Sequence, residues 1–192
     1  MKPIPRLITV SFKDAIPDGY KVVNCTSRGD EYADLSPFKQ SNVLTYDGMI
    51  AKNVENAWQF SKVYHEHDCN GVPNIGWAKW RNRGFDDSYA HRYPMGKGRT
   101  PLYLWWNDIK MDYITARKEV YFPLYIQSMA NNECFMRLKQ EFDSGLNLAI
   151  KDFDVYRFDK LNYTLKDVVS NPNRKAGHGF VLYHLLTGIP YK

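Results

Sequence analysis

Between Asn53 and Tyr64 the chain reads NVENAWQFSKVY, and its apolar and polar positions separate at helical spacing. Ala57, Phe60 and Tyr64 fall on one side, the natural core face of an amphipathic helix. Glu55, Gln59 and Lys62 fall on the other. At 100° per residue, Gln59 lies about 40° and Lys62 about 20° from Glu55 around the axis. Asn53 is a suitable N-cap. A carboxylate, an amide and an ammonium in one row are either a solvated helix face, ordinary surface chemistry, or a working site, if neighbouring loops make the row concave. Two Arg-bearing loops are available for that, Ser27-Arg28-Gly29 and Gly98-Arg99.

The rest of the pattern mixes short strands with helices. The Pro-containing opening, Met1–Gly19, is irregular apart from a short strand at Leu7–Phe12. Tyr20–Cys25 is rich in β-formers and reads as a strand. Thr26–Phe38 carries loop chemistry. Val43–Tyr46 followed by Asp47-Gly48 predicts a hairpin turn. Residues 67–100 hold seven of the chain's glycines and prolines and little periodicity, which predicts a long irregular insertion with one short helix at Gly76–Arg81. Asp108–Ala130 is the longest helical pattern, broken or kinked at Pro123. A helix at Cys134–Phe142, a strand at Asn147–Val155, a short helix at Thr164–Val169 and an apolar terminal helix at Gly177–Leu186 follow. Strands and helices do not alternate regularly. The expectation is therefore a compact α+β domain over residues 1–192, mainly helical with a small sheet, and not a doubly wound sheet.

Composition adds to this picture. A chain of 192 residues is long enough to bury about two-thirds of its unfolded surface in one core. Aromatics are 15% of residues, with 14 Tyr and 5 Trp, which excludes a disordered chain and offers flat surfaces for a base or ring. The formal charge of +5 suits a phosphorylated partner or nucleic acid without requiring one. Three widely spaced cysteines imply no disulfide framework and fit a reducing cytoplasm. No secretory apolar segment is visible at the N-terminus, and no stretch is long and apolar enough to be expected in a membrane.

Several familiar chemistries are excluded. There is no Gly-x-Gly-x-x-Gly fingerprint, Walker loop or Gly-x-Ser-x-Gly elbow, so dinucleotide oxidoreductases, P-loop enzymes and α/β-hydrolases find no support. His65, His67 and Cys69 at i, i+2 and i+4 invite a metal, yet no second Cys/His pair stands at finger spacing, and neither a metal nor a cofactor is expected.

The order of elements over most of 20–186 resembles the NADAR family, the YbiA-like domain associated with NAD and ADP-ribose. The resemblance rests on Glu55-x-x-x-Gln59-x-x-Lys62 together with Gly98-Arg99. It extends to Leu35-Ser36-Pro37-Phe38 in the early loop, Trp105 or Trp106 followed by Arg117 on the next helix, the acidic strand end at Asp152 and Asp154, and Ala176-Gly177-His178-Gly179 before the last helix. The chain differs from the family at Asn56, where a His is usual, and in lacking the Trp-Gly that follows the later acidic residue.

The resemblance implies an α+β fold of the NADAR kind and hydrolysis of an N-glycosidic bond on a phosphorylated ribose, such as ADP-ribose carried by a nucleobase, nucleic acid or protein. Glu55 would stabilise the oxocarbenium-like centre or activate water. Lys62 and Gln59 would orient the sugar. Arg28 and Arg99 would hold phosphate through bidentate guanidinium contacts; a surface Arg beside a turn Gly is the alternative. Trp105 or Trp106 would stack on the base, the other packing into the core, because neighbours on a strand face opposite ways. Asp152 and Asp154, two apart on a strand, either bind ribose hydroxyls and assist Glu55 or close a strand-end turn. His178 either faces the ligand or caps the last helix. Two rivals stand beside this reading: a module that binds an ADP-ribose-like nucleotide without turnover, and a nucleic-acid-binding protein using Tyr and Trp platforms.

Overall fold

The structure, a computed structural model, describes residues 5–29 and 31–192. Met1–Ile4 of the irregular opening and Asp30 of the Thr26–Phe38 loop lie outside the described residues. In chain order the strands are β1 (Leu7–Val10), β2 (Lys21–Asn24), β3 (Val43–Leu44), β4 (Ile50–Ala51), β5 (Lys62–Val63), β6 (Asp68–Cys69), β7 (Val72–Pro73), β8 (Tyr103–Trp106), β9 (Ile109–Met111) and β10 (Leu148–Lys151). The α-helices are α1 (Val54–Gln59), α2 (Ile75–Asp86), α3 (Tyr113–Ala116), α4 (Phe122–Met129), α5 (Glu133–Asp143), α6 (Leu165–Ser170) and α7 (His178–Thr187). The chain is thus α+β. It divides into two compact units, one formed by Met1–Ser36 with Met129–Lys192 and the other by Pro37–Ser128. The sequence pattern has no composition break at Ser36 or Met129 that would mark such a division.

The unit formed by the two chain ends holds a parallel sheet in the order β1-β10-β2, with Leu7 opposite Leu148 and Leu148 opposite Lys21. All four residues of β1 and the first three of β10 are buried, as in strands covered on both faces, with Thr9 the one polar member, donating its hydroxyl to the Tyr156 carbonyl at 2.7 Å. Helix α7 packs on β1 and β10. Ile8, Val10 and Ala149 form a core cluster with Ile16 and Tyr20 against it. Helix α5 starts at an Asn132 cap and ends before Gly145, whose φ of +102° suits glycine alone. Thr164 and Asp167 close a capping box on α6.

The middle unit is built from smaller pieces. Thr45 to Met49 makes the expected hairpin between β3 and β4, with Gly48 at a φ of +76°. Strands β5, β8 and β9 form an antiparallel sheet. Residues 67–100, expected as an irregular insertion, instead carry the β6–β7 hairpin and a 12-residue helix, α2, capped by Asn74. Gly84 of that helix lets it approach Phe60: a Cβ there would lie 2.1 Å from the ring.

Two helical expectations change. Asp108–Met111 is not helical, because Ile109–Met111 pairs with β8 and Asp112 starts the helix by accepting from the Ile114 and Thr115 amides. The break expected at Pro123 takes the form of a π-helical turn, Arg117–Tyr121, between α3 and α4. Pro123 has no N–H to donate and its ring crowds the carbonyl four residues back, and a widened turn accommodates both. Among the described residues no helix is long and apolar enough to cross a membrane.

Candidate functional site

Helix α1 begins where Asn53, in extended backbone, accepts from the Asn56 amide at 2.7 Å. The amide of Glu55 donates to the Pro37 carbonyl at 3.1 Å. Every residue of α1 is buried, including Glu55 at 6% exposure and Gln59 at 9%. A solvated face is therefore ruled out for Glu55 and Gln59. The helix is also shorter than its pattern suggests. Ser61 returns its hydroxyl to the Ala57 carbonyl at 2.7 Å, an i−4 bond that competes with helix continuation. Residues 62 and 63 then pair with Leu104 and Tyr103. Lys62 thus reaches the row from strand β5 and not from a third helical turn.

The row is nonetheless made. Gln59 Nε2 donates to Glu55 Oε1 at 2.9 Å, and Lys62 Nζ donates to Gln59 Oε1 at 2.6 Å. The amide is thereby fixed in orientation: its NH2 faces the carboxylate and its oxygen faces the ammonium. Lys62 Nζ stands 4.9 Å from the centre of the Trp58 ring, within cation–π range. Trp58 packs against Tyr121 at 5.2 Å and Tyr113 at 6.2 Å, and the Arg117 guanidinium lies 4.6 Å over the Tyr113 ring. Arg117 is 1% exposed, at the start of the π-helical turn. The aromatic frame of Trp58, Tyr113 and Tyr121 is not singled out by the sequence reading. Trp58 carried a signal, three residues after Glu55 and four before Lys62.

Asn56 is engaged through both ends of its side-chain amide. Its NH2 donates to the carbonyls of Asp87 at 2.9 Å and Tyr89 at 2.8 Å, and its oxygen accepts from the His91 amide at 2.8 Å. Asn56 therefore ties α1 to the loop after α2.

The two phosphate candidates sit in different settings. Arg99 is exposed and donates from one guanidinium nitrogen to both Glu66 carboxylate oxygens, at 2.6 and 2.7 Å. Gly98 beside it has a φ of +90° and open space around it. Arg28 is exposed in the turn after β2. The close approach at Gly29 is made to the chain itself, since a Cβ there would lie 2.0 Å from the Asn24 carbonyl oxygen. The two tryptophans are both half-buried and meet different neighbours. Trp105 packs on the cluster of Val63, Trp77 and Tyr103, while Trp106 meets Tyr46 edge-on at 4.8 Å. Trp106 and Tyr46 line a cavity of about 250 Å³ with Glu119, Pro123 and Gln127.

In the unit of the chain ends, Asp152 and Asp154 lie beyond the end of β10 and not side by side on a strand. Asp152 is buried, accepting from the Phe153 amide at 2.6 Å and the Gly179 amide at 3.4 Å. Asp154 is ion-paired with Lys175 at 3.5 Å. His178, the first residue of α7, is buried, with Nε2 2.7 Å from the Cys25 carbonyl and Nδ1 3.3 Å from Asp152 Oδ2. Cys25 and Cys134 are buried free thiols, and Cys69 is an exposed one. Among the described residues, His65, His67 and Cys69 bring no metal-ligand cluster together.

Set against known proteins, the chain matches no protein-family model and no curated protein sequence.

Proposed function

We propose that this chain is an N-glycosidase that hydrolyses the N-glycosidic bond of a phosphorylated ribose, removing ADP-ribose from a modified nucleobase, nucleic acid or protein, in a fold of the NADAR kind. The observation that carries the reading is the hydrogen-bonded row of buried Glu55 and Gln59 with half-buried Lys62. A carboxylate held at 6% exposure and tied to a neutral amide is a poor surface group and a good partner for a transient cation. In the reaction, water adds to the anomeric carbon as the bond to the leaving nitrogen breaks, and that nitrogen takes up a proton. Glu55 stabilises the oxocarbenium-like centre or takes the proton of the attacking water. Gln59 holds the carboxylate in place. Lys62, half-buried over Trp58, is the cation assigned to the phosphorylated sugar. Asp152 is engaged by His178 and the Phe153 amide and has no part in this reading.

A non-catalytic, sequestering module is the second reading, favoured by one observation. Asn56 stands where the family has a His, and an amide locked into three loop hydrogen bonds transfers no proton. Incubation with ADP-ribosylated DNA or ADP-ribosylated guanosine separates the two. Free ADP-ribose is expected from the enzyme, a stable complex without release from the module, and absence of both binding and release would contradict both. Affinity for unmodified DNA measured across salt tests the nucleic-acid rival, which requires a steep loss of binding with salt.

A further inference from the structure

Within the unit of the chain ends, Cys25, Asp152 and His178 form a buried group to which the proposed reaction gives no part. One ligand-type atom from each side chain lies within 4.8 Å of the other two, and all three residues are buried. Three parts of the fold bring them together: the end of β2, the turn after β10 and the first turn of α7. Glycines permit the approach. A Cβ on Gly177 would lie 2.5 Å from Asp152 Oδ2, and one on Gly179 would lie 2.7 Å from Val155 and 3.3 Å from the Asp152 Cβ.

The protonation of His178 is constrained by its neighbours. A backbone carbonyl only accepts, so Nε2, 2.7 Å from the Cys25 oxygen, carries a hydrogen. A ring N–H on a backbone carbonyl is the usual support of a histidine whose other nitrogen binds a metal. That other nitrogen, Nδ1, faces the Asp152 carboxylate at 3.3 Å. Nitrogen and oxygen ligands on a tetrahedral zinc, each about 2.0–2.1 Å from the ion, stand about 3.3 Å apart.

We propose that Cys25 Sγ, Asp152 and His178 Nδ1 form a divalent transition-metal site, with zinc the best-matched ion. A thiolate, an imidazole and a carboxylate are the donor set for a borderline-soft cation and not for calcium or magnesium. Charge fits as well. A thiolate and a carboxylate with a neutral imidazole carry two negative charges, which one divalent ion cancels inside a buried site. On binding, the Cys25 S–H bond breaks, the sulfur's electron pair goes to the ion, and the proton is released to solvent. With three protein ligands from the residue after β2, the turn after β10 and the start of α7, the ion staples the end of the sheet to the last helix.

The test is titration of the chelator-treated full chain with cobalt(II), read by absorption, and with zinc(II), read by thermal midpoint. One equivalent of cobalt(II) is expected to give tetrahedral bands and a thiolate-to-cobalt charge-transfer band, and zinc(II) is expected to raise the midpoint. Cys25→Ser is expected to abolish the charge-transfer band. The variant Cys69→Ser/Cys134→Ala, which keeps Cys25 as the sole thiol, is expected to retain it. Absence of a charge-transfer band in the natural chain overturns the proposal without any variant. So does a band that survives Cys25→Ser, or one lost from folded Cys69→Ser/Cys134→Ala.

Discussion

The amide of Gln59 gives its hydrogen to Glu55 at 2.9 Å and its oxygen to Lys62 at 2.6 Å, so one neutral side chain separates a buried acid from a base. The interposed amide holds both groups in order along one line of hydrogen bonds.

Replacing Gln59 by Leu removes both hydrogen bonds, one from the buried Glu55 carboxylate and one from the half-buried Lys62 ammonium. A loss of about 1–3 kcal/mol is expected in denaturant unfolding. Gln59→Glu replaces the donor NH2 with oxygen and places two carboxylates in contact; it should cost at least as much at neutral pH and recover on acidification.

Asn56→Ala should loosen the loop after α2, because it leaves the carbonyls of Asp87 and Tyr89 and the amide of His91 without this partner. The expected cost is about 2–4 kcal/mol. Hydrogen exchange should report it as faster exchange centred on 87–91.

Gly84→Ala sets two effects against each other. Alanine in a helix gains about 1 kcal/mol over glycine. The added methyl would sit 2.1 Å from the buried Phe60 ring. Overpacking of this kind costs about 1–3 kcal/mol or more. Net destabilisation is expected, with partial rescue by Phe60→Leu, and a thermal midpoint that rose in the single variant would contradict the close packing of α1 and α2.

His67 sets a pH dependence. It is buried beside Trp80, its Nδ1 has no hydrogen-bond partner among the described residues, and burial lowers its pKa below the ordinary 6.5, outweighing the pull of Glu66. The unfolded chain therefore takes up this proton at a higher pH than the folded one. The stabilising contribution is whole above about pH 6.5 and fades as pH falls toward the folded value. His67→Phe should flatten that part of the profile, seen as a smaller drop in thermal midpoint between about pH 7.5 and pH 5.

Much of this was legible where signals are local. The Asn53 cap, the Asp47-Gly48 turn and Gly145 after α5 each follow from one or two residues and their backbone preferences. The spacing of Glu55, Gln59 and Lys62 pointed to a row of side chains that the structure does assemble. What the spacing could not reveal was the burial of that row, because burial is decided by distant partners. Nor could it place Lys62 on a strand, since β8, which captures it, lies about forty residues downstream. Asp152 and His178 were legible as polar residues at element ends. Their meeting with Cys25 depends on β2 and β10 lying side by side, a pairing of residues more than a hundred positions apart. The π-helical turn that carries Arg117 shows in sequence only as a proline.

The most direct test is a single-turnover assay with ADP-ribosylated DNA, comparing the natural chain with Glu55→Gln. The variant keeps the size of the side chain and its place beside Gln59. It should bind the substrate with near-natural affinity and release ADP-ribose about 10²–10⁴-fold more slowly, the range for a lost acid–base group. Equal rates from the two proteins, or tight binding with no release by either, would contradict Glu55 as the catalytic carboxylate.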